Sequence, residues 1–296
     1  MPGFHIVEIP LDAREDTEQL GSKPKFWVLL DDRRWLFKEA RPDTGEDWAE
    51  KVAADVAQAV GIRAATVELA SYAERRGCVS LNFVDVSAGQ ALVHGNEILA
   101  LRTTGYDKTK TFRQSDHTLE NIDTAIRGLV ARDAAEGILT ELASYMVLDA
   151  LIGNTDRHHE NWGLLRHLRQ EPPGILLSVA PSFDHASSLG RELRDERRLE
   201  LLEGDRVGDY IKKGRGGIFR SPGERRGENP LRFVQLAARA YPSYFRQALM
   251  QVAELRPETV REILAAVPPE RASEPAKRFA EAMILSAQSS LTEILK

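Results

Sequence analysis

Asp156 and Asn161 stand five positions apart in Gly153-Asn154-Thr155-Asp156-Arg157-His158-His159-Glu160-Asn161, and a second carboxylate follows in Pro181-Ser182-Phe183-Asp184. That set of residue types suits phosphoryl transfer from ATP. One carboxylate receives or orients the proton of an attacking hydroxyl, while an amide and a second carboxylate hold the magnesium that neutralises the phosphates. Asp156, Asn161 and Asp184 fit those three roles in that order. Taken singly, each has a plainer reading. Asn-Thr-Asp is a turn sequence, Asn161 suits a strand edge and Asp184 could cap a helix. The joint spacing is what favours the catalytic reading, with magnesium taking oxygen ligands from the side chains and from phosphate.

The neighbouring histidines do not read as a metal pair, because adjacent residues in an extended loop point apart. A zinc site is not expected. His158, two residues after Asp156, either holds the loop or reaches the transferring phosphate. His159 and His185 have no assigned role.

A lysine to grip the ATP phosphates is expected from an N-terminal strand, and Lys38 is the only lysine in Trp35–Glu39. The amphipathic segment that follows carries Glu46 and Glu50, and an acidic residue there would fix the ammonium. Glu50 is assigned as the partner and Glu46 to the helix N-terminus, where a carboxylate is favoured. Gly21-Ser22-Lys23-Pro24-Lys25, just before the first strand, is the candidate phosphate-covering loop. With one glycine it is a poor motif, although Lys25 would add positive charge.

The elements that must position these residues can be read from periodicity and turn signals. Phe26–Leu30 and Trp35–Glu39 flank Asp31-Asp32-Arg33-Arg34 as a hairpin. Trp48, Val52, Val56 and Val60 recur at four-residue spacing before Gly61, which predicts a helix over Gly45–Val60. Thr66–Glu74 and Cys78–Val84 form a second strand pair, expected to turn at Arg75-Arg76-Gly77. Helices are expected over Leu119–Arg132 and Glu136–Ile152, the second apolar around much of its circumference and stopped by Gly153. Trp162–Leu165 and Gly174–Ser178 read as a hairpin whose far end delivers Asp184. Residues 230–296 are helical, with breaks at Tyr241-Pro242, Pro257 and Pro268-Pro269. Arg191–Gly227, polar and glycine-containing, reads as a mobile segment.

The 296 residues carry a net charge of −5, so no overall basic field points to nucleic acid, and no direct binding to it is expected. A single cysteine, Cys78, excludes an internal disulfide framework. The opening MPGFHIVEIP lacks the features of a secretory signal, and no apolar run is long enough for a membrane helix. A cytoplasmic enzyme, away from any membrane, is the expectation.

The run Asn154-x-Asp156-x-His158-x-x-Asn161, followed by Ala180-Pro181-Ser182-Phe183-Asp184 and Ser187-Ser188-Leu189-Gly190, resembles the HipA-type serine/threonine kinases. These are known as the toxin half of bacterial toxin–antitoxin pairs, and their core is related to phosphatidylinositol kinases. The resemblance spans Gly21 to Arg220 and is specific at the two loop motifs. It implies an α+β, bilobed protein-kinase-like fold, with a small β-rich N-lobe over residues 1–110 and a larger, mostly helical C-lobe over 111–296. It further implies Asp156 as catalytic base, Asn161 and Asp184 as magnesium ligands, Lys38 as the ATP lysine and the Gly21 loop as the phosphate-binding loop. Family members can carry an autophosphorylated serine three residues before that glycine. Here that position is Glu18, with Thr17 and Ser22 as the nearby hydroxyls. The chain looks like a compact branch without the additional N-terminal subdomain of longer members. A protein substrate with a serine or threonine acceptor, such as a component of the translation machinery, and an antitoxin partner are implied by resemblance alone. Eleven Lys/Arg against eight Asp/Glu in Arg191–Arg226 leave room for an acidic or RNA-bound target.

Other readings remain at this stage. Antibiotic- and choline-type kinases use a similar loop but place His-Gly before the Asp, where this chain has Asn154-Thr155. A lipid kinase lacks support, since there is no polybasic run to dock a membrane. An inactive kinase fold serving as a binding module is the alternative of a different class.

Overall fold

A computed structural model describes residues 3–17, 25–169 and 174–296. The first part is built on a sheet of β1 (Ile6–Glu8), β2 (Arg14–Thr17), β3 (Lys25–Leu30) and β4 (Arg33–Glu39), then helix α1 (Glu46–Ala59), then β5 (Val67–Tyr72) and β6 (Arg75–Leu81). The spatial order is β1-β5-β6-β4-β3-β2, antiparallel except for the β1–β5 edge pair. Alternation along β4 divides its side chains between two faces. Phe37 packs with Phe26, Val28, Tyr72 and Val79 in one cluster. Its neighbour Lys38 points to the opposite face, where α1 lies with Trp48, Val52 and Val56 fully buried.

Both hairpins close through two residues with positive φ. Asp31 and Asp32 (φ 47° and 57°) join β3 to β4, and Ala73 and Glu74 (φ 49° and 65°) join β5 to β6. Such turns match the right-handed strand twist. The second turn therefore lies before the expected Arg75-Arg76-Gly77, which belongs to β6. Gly77 serves close packing instead: a Cβ there would fall on the Lys38 carbonyl oxygen and 2.7 Å from the Phe37 ring.

The second part contains β7 (Gln90–His94), α2 (Gly95–Arg102), α3 (Leu119–Arg127), α4 (Arg132–Ile152), β8 (Gly163–Arg169) and β9 (Gly174–Val179). It continues through α5 (Asp195–Glu203), α6 (Val207–Lys213), α7 (Pro230–Ala240), α8 (Pro242–Ala253), α9 (Pro257–Ala265) and α10 (Glu274–Thr292). The expected β8–β9 hairpin gains β7 as a third, antiparallel strand. β7 and α2 therefore associate with this second sheet, ahead of residue 110. The helix expected over Leu119–Arg132 ends at Gly128, and α4 starts earlier than Glu136. α7 to α10 each carry proline in their first turn, where its missing N–H costs nothing.

α4 is the spine of the main core, packed by α7, α8 and α10. Arg191–Gly227, expected to be mobile, holds α5 and α6 and puts Leu201, Val207, Ile211, Ile218 and Phe219 into buried positions. These scattered apolar residues, rather than local periodicity, anchor it. Among the described residues no helix is long and apolar enough to cross a membrane. The architecture is α+β, a β-rich first part and a helical second part.

Candidate active site

The site begins where α4 stops. Gly153 takes a left-handed conformation (φ 67°), and its N–H bonds back to the Asp149 carbonyl. The loop that follows is tied down from within. Asn154 Oδ1 accepts from the Asp156 backbone N–H at 3.1 Å, and Asn161 Nδ2 donates to the Asp156 carbonyl at 2.8 Å. That second bond fixes the Asn161 amide and leaves its Oδ1 as the end suited to a ligand.

Arg157, which the sequence reading did not single out, is the hub of the loop. Its Nε donates to Asp149 Oδ2 at 2.7 Å and its Nη2 to Asp149 Oδ1 at 2.9 Å, a bidentate pair with both side chains 5% exposed. Asp149 Oδ1 also accepts from Asn154 Nδ2 at 2.8 Å. The same guanidinium reaches Ser182 Oγ at 2.9 Å, the Phe183 carbonyl at 3.2 Å and the Asn161 carbonyl. One buried cation therefore joins the end of α4, the Asp156–Asn161 loop and the segment leading to Asp184. Its place between Asp156 and His158, in a chain offering a buried Asp149 upstream, is the only sequence trace of this role. His185 is enclosed in the same region, its Nε2 2.7 Å from Ser182 Oγ, and burial pushes it down to about 3.

Asp184 takes a strained conformation for a non-glycine residue, φ 62°. Lys38 Nζ donates to Asp184 Oδ1 at 3.1 Å and to Glu50 Oε1 at 3.4 Å. The structure thus pairs Lys38 with Glu50, while Glu46 meets Arg41 and Arg191. Burial opposes the Lys38 charge, but the Asp184 and Glu50 carboxylates outweigh it and push the ammonium above its ordinary range. Lys25 lies directly opposite Lys38 in the β3–β4 register. As cross-strand neighbours the two lysines leave the sheet on the same face. Gly21 and Ser22 lie outside the described residues.

His158 accepts from the Glu160 backbone N–H through Nδ1 at 3.2 Å. Burial pushes its pKa down to about 4, against the pull of Asp184. It is therefore a neutral imidazole with its proton on Nε2. His159 turns the other way, buried, with Nδ1 2.6 Å from the Tyr106 hydroxyl.

The donor set of one amide oxygen and one carboxylate suits magnesium, which keeps waters and phosphate oxygens as its remaining ligands. Among the described residues there is no group of three or more His, Cys, Asp or Glu that could hold a metal by themselves.

The fold has known counterparts. The proinflammatory kinase CtkA of Helicobacter pylori superposes with a TM-score of 0.75 at 19% identity, covering 91% of this chain and 92% of that one. HipA of Shewanella oneidensis MR-1, solved with HipB and operator DNA, superposes with a TM-score of 0.62 at 11% identity, covering 97% and 67%. At these identities the likeness speaks for the fold. No curated protein matches the sequence. The HipA-like C-terminal domain matches residues 19–267, most of the chain. The chain belongs to the HipA-like C-terminal domain family and is a kinase-family enzyme, a phosphotransferase.

Proposed function

We propose that the chain is an ATP- and magnesium-dependent serine/threonine protein kinase. The observation that carries this reading is the Glu50–Lys38–Asp184 chain of ion pairs facing the loop that bears Asp156 and Asn161. Lys38 holds the ATP phosphates, and Glu50 keeps its ammonium in place from a fully buried position. Lys25 adds positive charge on the phosphate side. Asn161 and Asp184 hold magnesium, which supplies neutralisation of phosphate charge.

Asp156 orients the acceptor hydroxyl and takes its proton as the oxygen attacks the γ-phosphorus and ADP leaves. His158 keeps the loop in shape through Nδ1 and offers Nε2–H to the transferring phosphate. Arg157 touches none of the reacting atoms; it holds the Asp156 and Asp184 segments at a fixed separation. The substrate is a cytoplasmic protein, with a component of the translation machinery as the family's expectation. A separate antitoxin-type partner is proposed by likeness to the HipA solved with HipB.

The test is transfer from radiolabelled ATP with magnesium, in a cell lysate and to purified acceptors. Label in a protein band, recovered as phosphoserine or phosphothreonine, is the expected result. Label confined to small molecules or lipid overturns the protein-kinase reading.

A further inference from the structure

Six arginines from distant parts of the chain, Arg41, Arg75, Arg76, Arg191, Arg198 and Arg271, line one cavity of about 380 Å³. Only two carboxylates, Glu39 and Asp43, share that lining. The cavity lies at the β4–α1 connection, against the start of β6, the segment after Asp184 and the N-terminus of α10. None of Lys38, Glu50, Asp156, Asn161 or Asp184 lines it.

Part of this cluster is explained by stitching the fold together. Asp47, fully buried, pairs with Arg76 and Arg271 at 3.1 and 2.8 Å, which joins α1 to β6 and to the segment before α10. That role does not account for the rest. Arg41 and Arg75 keep side chains 49% and 46% exposed. Arg75 gives one N–H to Glu39 at 2.9 Å. Arg198, 7% exposed, donates to Asp195 and to the Gly190 carbonyl, yet its Nε meets no partner among the described residues. Gathering guanidinium groups on one hollow is unfavourable unless an anion answers them. The carboxylates behind them, Glu39, Glu46, Asp47 and Asp195, hold the planes in place, and a planar donor fork matches phosphoryl oxygens.

We propose that this cavity is a binding site for a small phosphoryl-bearing anion, separate from the nucleotide cleft. Glu46, which joins Arg41 and Arg191 at its edge, opens α1 one turn before Glu50. Occupancy therefore bears on the helix that carries the partner of Lys38.

Isothermal titration of the full chain with pyrophosphate, orthophosphate and a short phosphoserine peptide, at fixed ionic strength, tests the site. Pyrophosphate is expected to bind the wild type, to bind about tenfold or more weakly to Arg41→Gln/Arg75→Gln, and to bind Lys38→Ala unchanged. If the double variant melts early, Arg75→Gln alone serves, since its one carboxylate partner lies at the surface. Tighter binding of the peptide than of the inorganic anions assigns the site to a phosphorylated side chain, and the reverse order to a free phosphate. No binding to the wild type, binding indifferent to the arginine substitutions, or binding lost with Lys38→Ala overturns the proposal. The last result would put the anion in the cleft and leave the kinase reading standing.

Discussion

The two walls of the cleft are positioned by different means. On the lysine side, regular structure does the work: β4 is paired on both edges, so the Lys38 Cα is fixed by register against Lys25 and Cys78. Only the tip of the side chain needs a partner, and Glu50 and Asp184 supply it. On the loop side, Asn154–Asn161 has no ladder to hold it. There a buried cation, Arg157, gathers one carboxylate, one hydroxyl and two carbonyls from three segments. Where strand pairing orders the backbone, ion pairs have only a side-chain tip to hold. Where it does not, an internal ion network takes over, and breaking one member leaves another uncompensated.

That contrast forecasts unequal damage. Arg157→Leu strands the Asp149 carboxylate in the core and is expected to cost about 3–5 kcal/mol of stability, measured by denaturant unfolding. Arg157→Leu as stable as wild type would remove the hub from the account. Lys38→Met should lower transfer about 10²–10³-fold, the scale of losing one aligned donor on a developing charge. It also leaves the buried Glu50 carboxylate without its cation, so it costs stability too, but less than Arg157→Leu because it unties no loop segment. A loss of folding as large as that of Arg157→Leu would erase the distinction between the walls. Gly77→Ala pushes a methyl against the Lys38 carbonyl and the Phe37 ring, and is expected to cost about 1–3 kcal/mol, again by unfolding.

A gentler perturbation is pH. Burial pushes His117 and His185 down to about 3 and His158 and His159 down to about 4, from an ordinary 6.5. Between about pH 4 and 6.5 the unfolded chain binds protons that the folded chain refuses, so stability falls as pH drops through that window and is level above it. Thermal melts from about pH 8 to pH 4 check this; a flat profile contradicts the burial of neutral imidazoles.

Much of this was legible in the sequence where local signals and outcome coincide. The four-residue stripe of α1 and the helix breaks at Tyr241-Pro242, Pro257 and Pro268-Pro269 are found where expected. The β5–β6 turn was not, because Ala73-Glu74 carries none of the Asn or Gly chemistry that marks a two-residue turn. Gly77 reads as a turn residue until the backbone of β4 is seen against it. β7 was invisible because its strand partner, β8, lies some seventy residues on in the chain. Arg157 and the arginine cavity depend on contacts between residues far apart in sequence, such as Arg76 and Asp47 with Arg271, and no local pattern encodes such meetings.

The central claim is that Asp156 performs the proton chemistry while Lys38 and Asp184 bind nucleotide and magnesium. It is tested most directly by measuring magnesium-dependent ATP affinity and phosphoryl transfer together in wild type and Asp156→Asn. The account predicts unchanged affinity with transfer lowered about 10²–10⁴-fold. Transfer within a few-fold of wild type would contradict it.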